Sequence, residues 1–216
     1  MTQQISRIAG FFYLLVFVAG LVLVTSTRGL VAADPATTAA NILAHGQRFW
    51  AGYLLDLVSP VAYIVVTGLF YVLFAPVNKP VSAVAAVFST IGCSLGAIEC
   101  FLHQTPYNIL TTPGVDAKQA QTLAFLVAKV GSRCNEVALI FFGCYCLLIG
   151  YLIFKSSFLP RAIGVLMMIA GLGWMTFAYP PLARPLIPYI FLPGIIGEGA
   201  LTFWLLAFGA RFKEQA

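Results

Sequence analysis

The chain has 216 residues, 61% of them hydrophobic and 9% charged, with a formal net charge of +5 and a mean hydropathy of +0.95. A soluble domain carries roughly 25% charged and 45–50% apolar residues, so no single globular core hides this much apolar surface, and the solvent must be lipid. The basic residues are scattered at segment ends, as membrane flanks are, with no basic stripe, which excludes nucleic acid as the partner.

Arg7, the apolar run from Ile8 to Val24 and VAAD at 31–34 have the outline of a secretory signal. The apolar region of such a signal is about 7–15 residues long; this one is longer, and the cleavage-like site lies too far beyond it. It reads instead as a first span. A membrane helix needs about 20 mostly apolar residues, and six segments meet that length: 7–31, 48–75, 80–107, 133–155, 159–179 and 185–211. The fold class expected is all-α, a single polytopic domain over 1–216 built as a six-transmembrane-helix bundle.

The breaks carry suitable punctuation. Pro76 and Pro80 bracket a tight turn with Lys79, KSSFLPR at 155–161 offers Ser157 as a cap and Pro160 for a first helical turn, and four prolines interrupt 179–188. Two outer segments read as helices that do not span. In 33–46, Asp34 caps, Pro35 fits the first turn, Gly46 ends the helix, and Ala39, Ile42 and Leu43 form the apolar face. The second is 116–131. Continued straight to Lys155 it makes a helix of roughly 60 Å, twice the thickness of the hydrocarbon core, so a bend is expected near Gly131–Ser132. The inner and outer flanks hold equal numbers of basic residues, but Arg7, Lys79, Lys155, Arg161, Arg211 and Lys213 sit by the shorter loops. Short loops are what the positive-inside rule weighs, so both termini are expected in the cytoplasm.

Five cysteines, Cys93, Cys100, Cys134, Cys144 and Cys146, all fall inside apolar segments without a C-x-x-C pair. They read as small packing residues, with Cys100–Cys134 the one pairing that shares a membrane side.

RIAGFFYLL at 7–15, ANIL at 40–43, GYLIFKSSFLPRAIGVL at 150–166 and GEGALTFWLLAFG at 197–209 occur in the order and spacing of a known family. The chain resembles, over nearly its whole length, the bacterial integral-membrane family known as domain of unknown function 4386. That resemblance implies a multi-pass helical protein of the bacterial inner membrane. It features Glu198 and Trp204 without giving either a role, and it brings no activity.

Ionisable side chains inside a membrane mark whatever offsets their cost. Asp56 lies in the second span, and Pro60 removes the amide that would bond its carbonyl, so a kink is expected beside that carboxylate. Glu99 and His103 lie one turn apart on one face of the third span. Arg133, Asn135 and Glu136 open the fourth, and Glu198 sits in the sixth between Gly197 and Gly199. Four carboxylates against Lys129 and Arg133 leave an excess of negative charge that an apolar interior will not hold bare, so protons, water or a cation must neutralise it.

Asp56, Glu99, His103, Arg133, Glu136 and Glu198 are therefore the candidate ligand-binding residues, in the outer half of the bundle. Three readings stay open. One is binding or transport of a small or lipid-like ligand or a cation. Another is an intramembrane metal enzyme using Glu99 and His103 with His45, Asp56 or Glu136; the donor set leaves room for a divalent metal without requiring one. The last is an accessory subunit whose polar groups lock helix packing. Nucleophile triads, phosphate loops and nucleotide motifs are absent, the balance is against an enzyme, and the sequence sets no oligomeric state.

Overall fold

A computed structural model describes residues 2–26 and 30–210, and among them there is no strand. The elements in order are α1 (Thr2–Ser26), α2 (Pro35–Ala44), α3 (Gly46–Thr111), α4 (Ala117–Lys155), α5 (Arg161–Met175), a short 3-10 turn (Thr176–Ala178), α6 (Pro180–Leu186) and α7 (Phe191–Ala207). The end of the expected first span, 27–29, and Arg211 and Lys213 lie outside the described residues.

Four stretches, 3–23, 46–111, 117–155 and 161–178, are long and apolar enough to cross a membrane, five if α6 and α7, bent by 78° at their junction, count as one span. Large apolar side chains point outward along them: Leu54, Val61, Phe101, Leu172 and Phe203 are each more than half exposed. A monomer in water rarely carries apolar surface on this scale.

The 66 residues of α3 would run about 100 Å if straight. They do not, because Asn78 adopts extended backbone (φ −160°, ψ 100°) between Pro76 and Pro80. Its side-chain oxygen accepts from Val81 N–H at 3.1 Å, capping the returning helix as an N-cap residue does. The expected segments 48–75 and 80–107 are thus two arms of one hairpin. Thr67 and Ser89 hydroxyls meet across it at 2.6 Å, and Ser82 donates to the Tyr71 carbonyl at 3.2 Å. Pro60 sits inside the outgoing arm, whose helical backbone continues through it.

α4 and α5 cross through two pairs of glycines. A Cβ at Gly150 would lie 2.6 Å from the Gly164 carbonyl oxygen, and one at Gly171 would lie 2.6 Å from that of Gly143. Small residues at such a spacing let helix backbones approach where lipid supplies no hydrophobic drive between them.

Several expectations need correction. α4 runs unbroken through Gly131–Ser132. Gly131 is there for contact, since a Cβ would come 3.3 Å from Leu102 Cβ, and a helical glycine weakens a helix by only about 1 kcal/mol. The 117–131 piece is therefore the extension of a long helix, and α2 packs against α4. α2 is capped by Asp34, which accepts from Thr37 N–H at 2.9 Å. It ends at His45, however, and Gly46 opens α3. Ala39 and Ile42 are buried while Leu43 is half exposed. The segment 185–211 is not one helix: α6 ends at Leu186 and α7 begins at Phe191. All five cysteines are free, and Cys134 donates to the Leu95 carbonyl at 3.4 Å.

The core is an aromatic spine. Tyr13 of α1 packs edge-on against Tyr63 and Phe70 of α3, and Tyr63 meets Tyr145 of α4. At one end of the bundle the Asn78 turn lies beside the α4–α5 loop, where Phe74 stacks on Phe158 at 5.7 Å. Ala210 N–H donates to Ser6 Oγ at 2.8 Å, so the beginning and the end of the described chain come together.

Candidate functional site

The hairpin in α3 builds the site. Asp56 on its outgoing arm and Glu99 and His103 on its returning arm lie at similar distances along the chain from Asn78, so the antiparallel fold sets them side by side. One oxygen of each carboxylate and an imidazole nitrogen all lie within 4.8 Å of one another. His103 Nδ1 forms an ion pair with Asp56 Oδ2, and Asp56 Oδ2 and His103 Nε2 are both buried without a hydrogen-bond partner. The Asp56 side chain is 6% exposed. Phe49 covers the imidazole, ring centroids 4.9 Å apart.

Two adjoining cavities open from this cluster. The larger, about 410 Å³, is lined by Asp56, Glu99, His103, Ser132, Asn135 and Glu136 among apolar groups. The smaller, about 310 Å³, shares Asp56, Glu99 and Asn135 and continues past Tyr63 and Trp174 to Glu198, with Val16 and Phe17 on its apolar wall. Each lies within the range of small-molecule pockets. Among the described residues, four carboxylates and no lysine or arginine line the pair. In so apolar a setting these oxygens draw positive charge or protons.

The remaining candidates are placed differently. Glu136 reaches the larger cavity and is ion-paired with Arg133, whose side chain is 49% exposed and lines neither cavity. Glu198 sits at the far end of the smaller cavity, accepting from Trp174 Nε1–H at 2.8 Å and from the Tyr13 hydroxyl at 3.1 Å. These bonds tie α1, α5 and α7 together. His45 is exposed at the α2–α3 junction, with Nδ1 3.0 Å from the Asn41 carbonyl, and does not join Asp56, Glu99 and His103.

Tyr13 and Trp174 are partners of Glu198 that the sequence did not single out. The available signal was general: a buried indole N–H or phenol needs a polar partner. Tyr63, two helical turns from Asp56, meets the Tyr13 hydroxyl at 3.4 Å.

α2 reaches the larger cavity through Ile42, and its N-cap residue Asp34 lies outside the candidate spans. Hydrogen bonding from the Thr37 backbone lowers the Asp34 carboxyl below its ordinary value.

A protein of Archaeoglobus fulgidus described as an uncharacterized protein is 30% identical over 82 residues, covering 37% of this chain and 48% of that protein. The alignment therefore spans about half the length of that relative. No solved structure matches. The sequence model of the family described as "Domain of unknown function (DUF4386)" matches residues 8–209, nearly the whole helical bundle, and the chain belongs to that family.

Proposed function

We propose that this chain is a six-crossing protein of the bacterial inner membrane that binds or carries a small, positively charged ligand in its paired cavities. The observation that carries the reading is the buried Asp56 carboxylate, whose Oδ2 has the His103 ion pair but no hydrogen bond, on a cavity wall that among the described residues holds four carboxylates and no lysine or arginine. A carboxylate in an apolar interior costs several kcal/mol; a cation against it lowers that cost. The apolar wall around Val16 and Phe17 accommodates the hydrocarbon part of a lipid-like cation.

Six crossings follow from counting the two arms of α3 separately and α7 as the sixth. An even number returns the end of the chain to the side where it began, in keeping with the Ser6–Ala210 hydrogen bond. Arg7, Lys79, Lys155 and Arg161 flank that end, which favours the cytoplasm for both termini and the outer side for the larger cavity.

The test is thermal stability of the purified protein in detergent with tetramethylammonium, dodecyltrimethylammonium, zinc, and the matched anionic amphiphile dodecyl phosphate. Cations raise Tm in the wild type and not in Asp56→Asn. Stabilisation by the anionic amphiphile alone would overturn the reading.

A further inference from the structure

Asp56, Glu99 and His103 differ from the other polar groups in bringing two carboxylates and an imidazole to one point from two antiparallel arms. Glu136 has Arg133, and Glu198 has Trp174 and Tyr13. Within the cluster, Asp56 Oδ2 and His103 Nε2 lack hydrogen bonds despite their burial. Beyond the Asp56–His103 ion pair itself, the cluster leaves His103 Nε2 without a partner and sets a second carboxylate beside the first.

The geometry points to a divalent metal site of the zinc class, formed by Asp56, Glu99 and His103, with an open coordination position facing the larger cavity. This rests on the reading that the cavity takes positive charge, and names the chemistry of the ion. One nitrogen and two oxygen donors suit borderline divalent ions such as zinc. Two carboxylates and a neutral imidazole around a divalent ion sum to no net charge, which a low-dielectric interior favours.

The size also fits. At bond lengths of about 2.0–2.2 Å, two ligands of a tetrahedral ion lie about 3.4 Å apart, and the donor atoms here lie within 4.8 Å of one another. Side-chain rotation of about an ångström closes the difference. Glu99 and His103, one helical turn apart, chelate from one arm, and Asp56 completes the set from the other. Three protein ligands leave a fourth position for water or ligand, on the side where Ser132 and Asn135 line the cavity.

The experiment uses the full chain in detergent, stripped with chelator, incubated with zinc and freed of excess. Mass spectrometry then gives zinc bound per chain, and cobalt replaces zinc in a parallel sample for its visible spectrum. About one zinc per chain and a cobalt band of nitrogen–oxygen coordination are expected. Glu99→Gln and His103→Gln each weaken zinc binding at least about tenfold, while His45→Ala retains it. Wild-type protein with less than a tenth of an equivalent of zinc and no cobalt band would overturn the site, whether or not any variant folds. So would wild-type affinity in Glu99→Gln. If zinc fails but tetramethylammonium still stabilises the wild type and not Asp56→Asn, the metal assignment falls and the cation-binding reading stands. If neither binds, both fall.

Discussion

At the scale of single residues, the decisive distinction is between polar groups whose partners are complete and those whose partners are not. Glu198 is complete. Trp174→Phe removes one donor to it and should cost about 1 kcal/mol of unfolding free energy, while Glu198→Ala orphans the Trp174 N–H and leaves the Tyr13 hydroxyl only its contact with Tyr63, and should cost about 2–4 kcal/mol. Chemical denaturation in mixed micelles measures both, and a Glu198→Ala cost no larger than that of Trp174→Phe would contradict the arrangement. The Tyr145 hydroxyl is buried without a partner, so Tyr145→Phe should leave stability unchanged or raise it by up to about 1 kcal/mol. Asp56 is incomplete in a way that depends on its ligand. Asp56→Asn should stabilise the cation-free protein, because the desolvated charge is gone, and should abolish the gain that cations give the wild type. Loss of stability in both conditions would mean that the His103 pair alone accounts for Asp56.

Among the elements, contact outweighs intrinsic preference. Gly150 and Gly171 are needed at the α4–α5 crossing, where a Cβ would meet a carbonyl oxygen at 2.6 Å. Gly150→Ala should therefore cost about 1–3 kcal/mol, although alanine is the better helix former by about 1 kcal/mol. Gly68, with nothing within 4 Å of its Cβ position, should accept alanine without loss. Equal effects at the two positions, compared by thermal unfolding, would remove the crossing as an explanation. α2 shows the same logic on the surface. Thr37 is exposed, whereas Thr38 and Ile42 are buried, so a cysteine at 37 should react with an impermeant thiol reagent and one at 38 should not. Asp34→Ala should raise reactivity at 38 by loosening the cap. Because folding lowers the Asp34 carboxyl below its ordinary value, the cap is at full strength above the ordinary Asp range, about 3.9. It is lost as the pH falls through the lower folded value.

Across the whole molecule, what could be read beforehand was what local chemistry specifies. The apolar segments, the Asp34 cap and the turn at Pro76–Pro80 depend on composition and on a few neighbouring residues. The pairing of Glu99 with His103 followed from helical spacing, and the hairpin about Asn78 then brings Asp56 to them. Other features depend on contacts between distant parts of the chain. Gly131 looked like a bend and is a point of approach to Leu102; Trp174 and Tyr13 meet Glu198 across 24 and 185 residues, which no periodicity encodes. His45 shares its residue type with His103 but sits on an exposed junction, and only the fold separates them. The central claim is that positive charge rests against Asp56 inside the bundle. The most direct measurement is an experimental structure of the chain purified from its membrane and supplied with zinc, with anomalous scattering recorded at the zinc edge. The account predicts a peak about 2.0–2.2 Å from Asp56, Glu99 and His103. A structure with acyl chains alone in both cavities, no peak, and Asp56 Oδ2 hydrogen-bonded to a protein donor would contradict it.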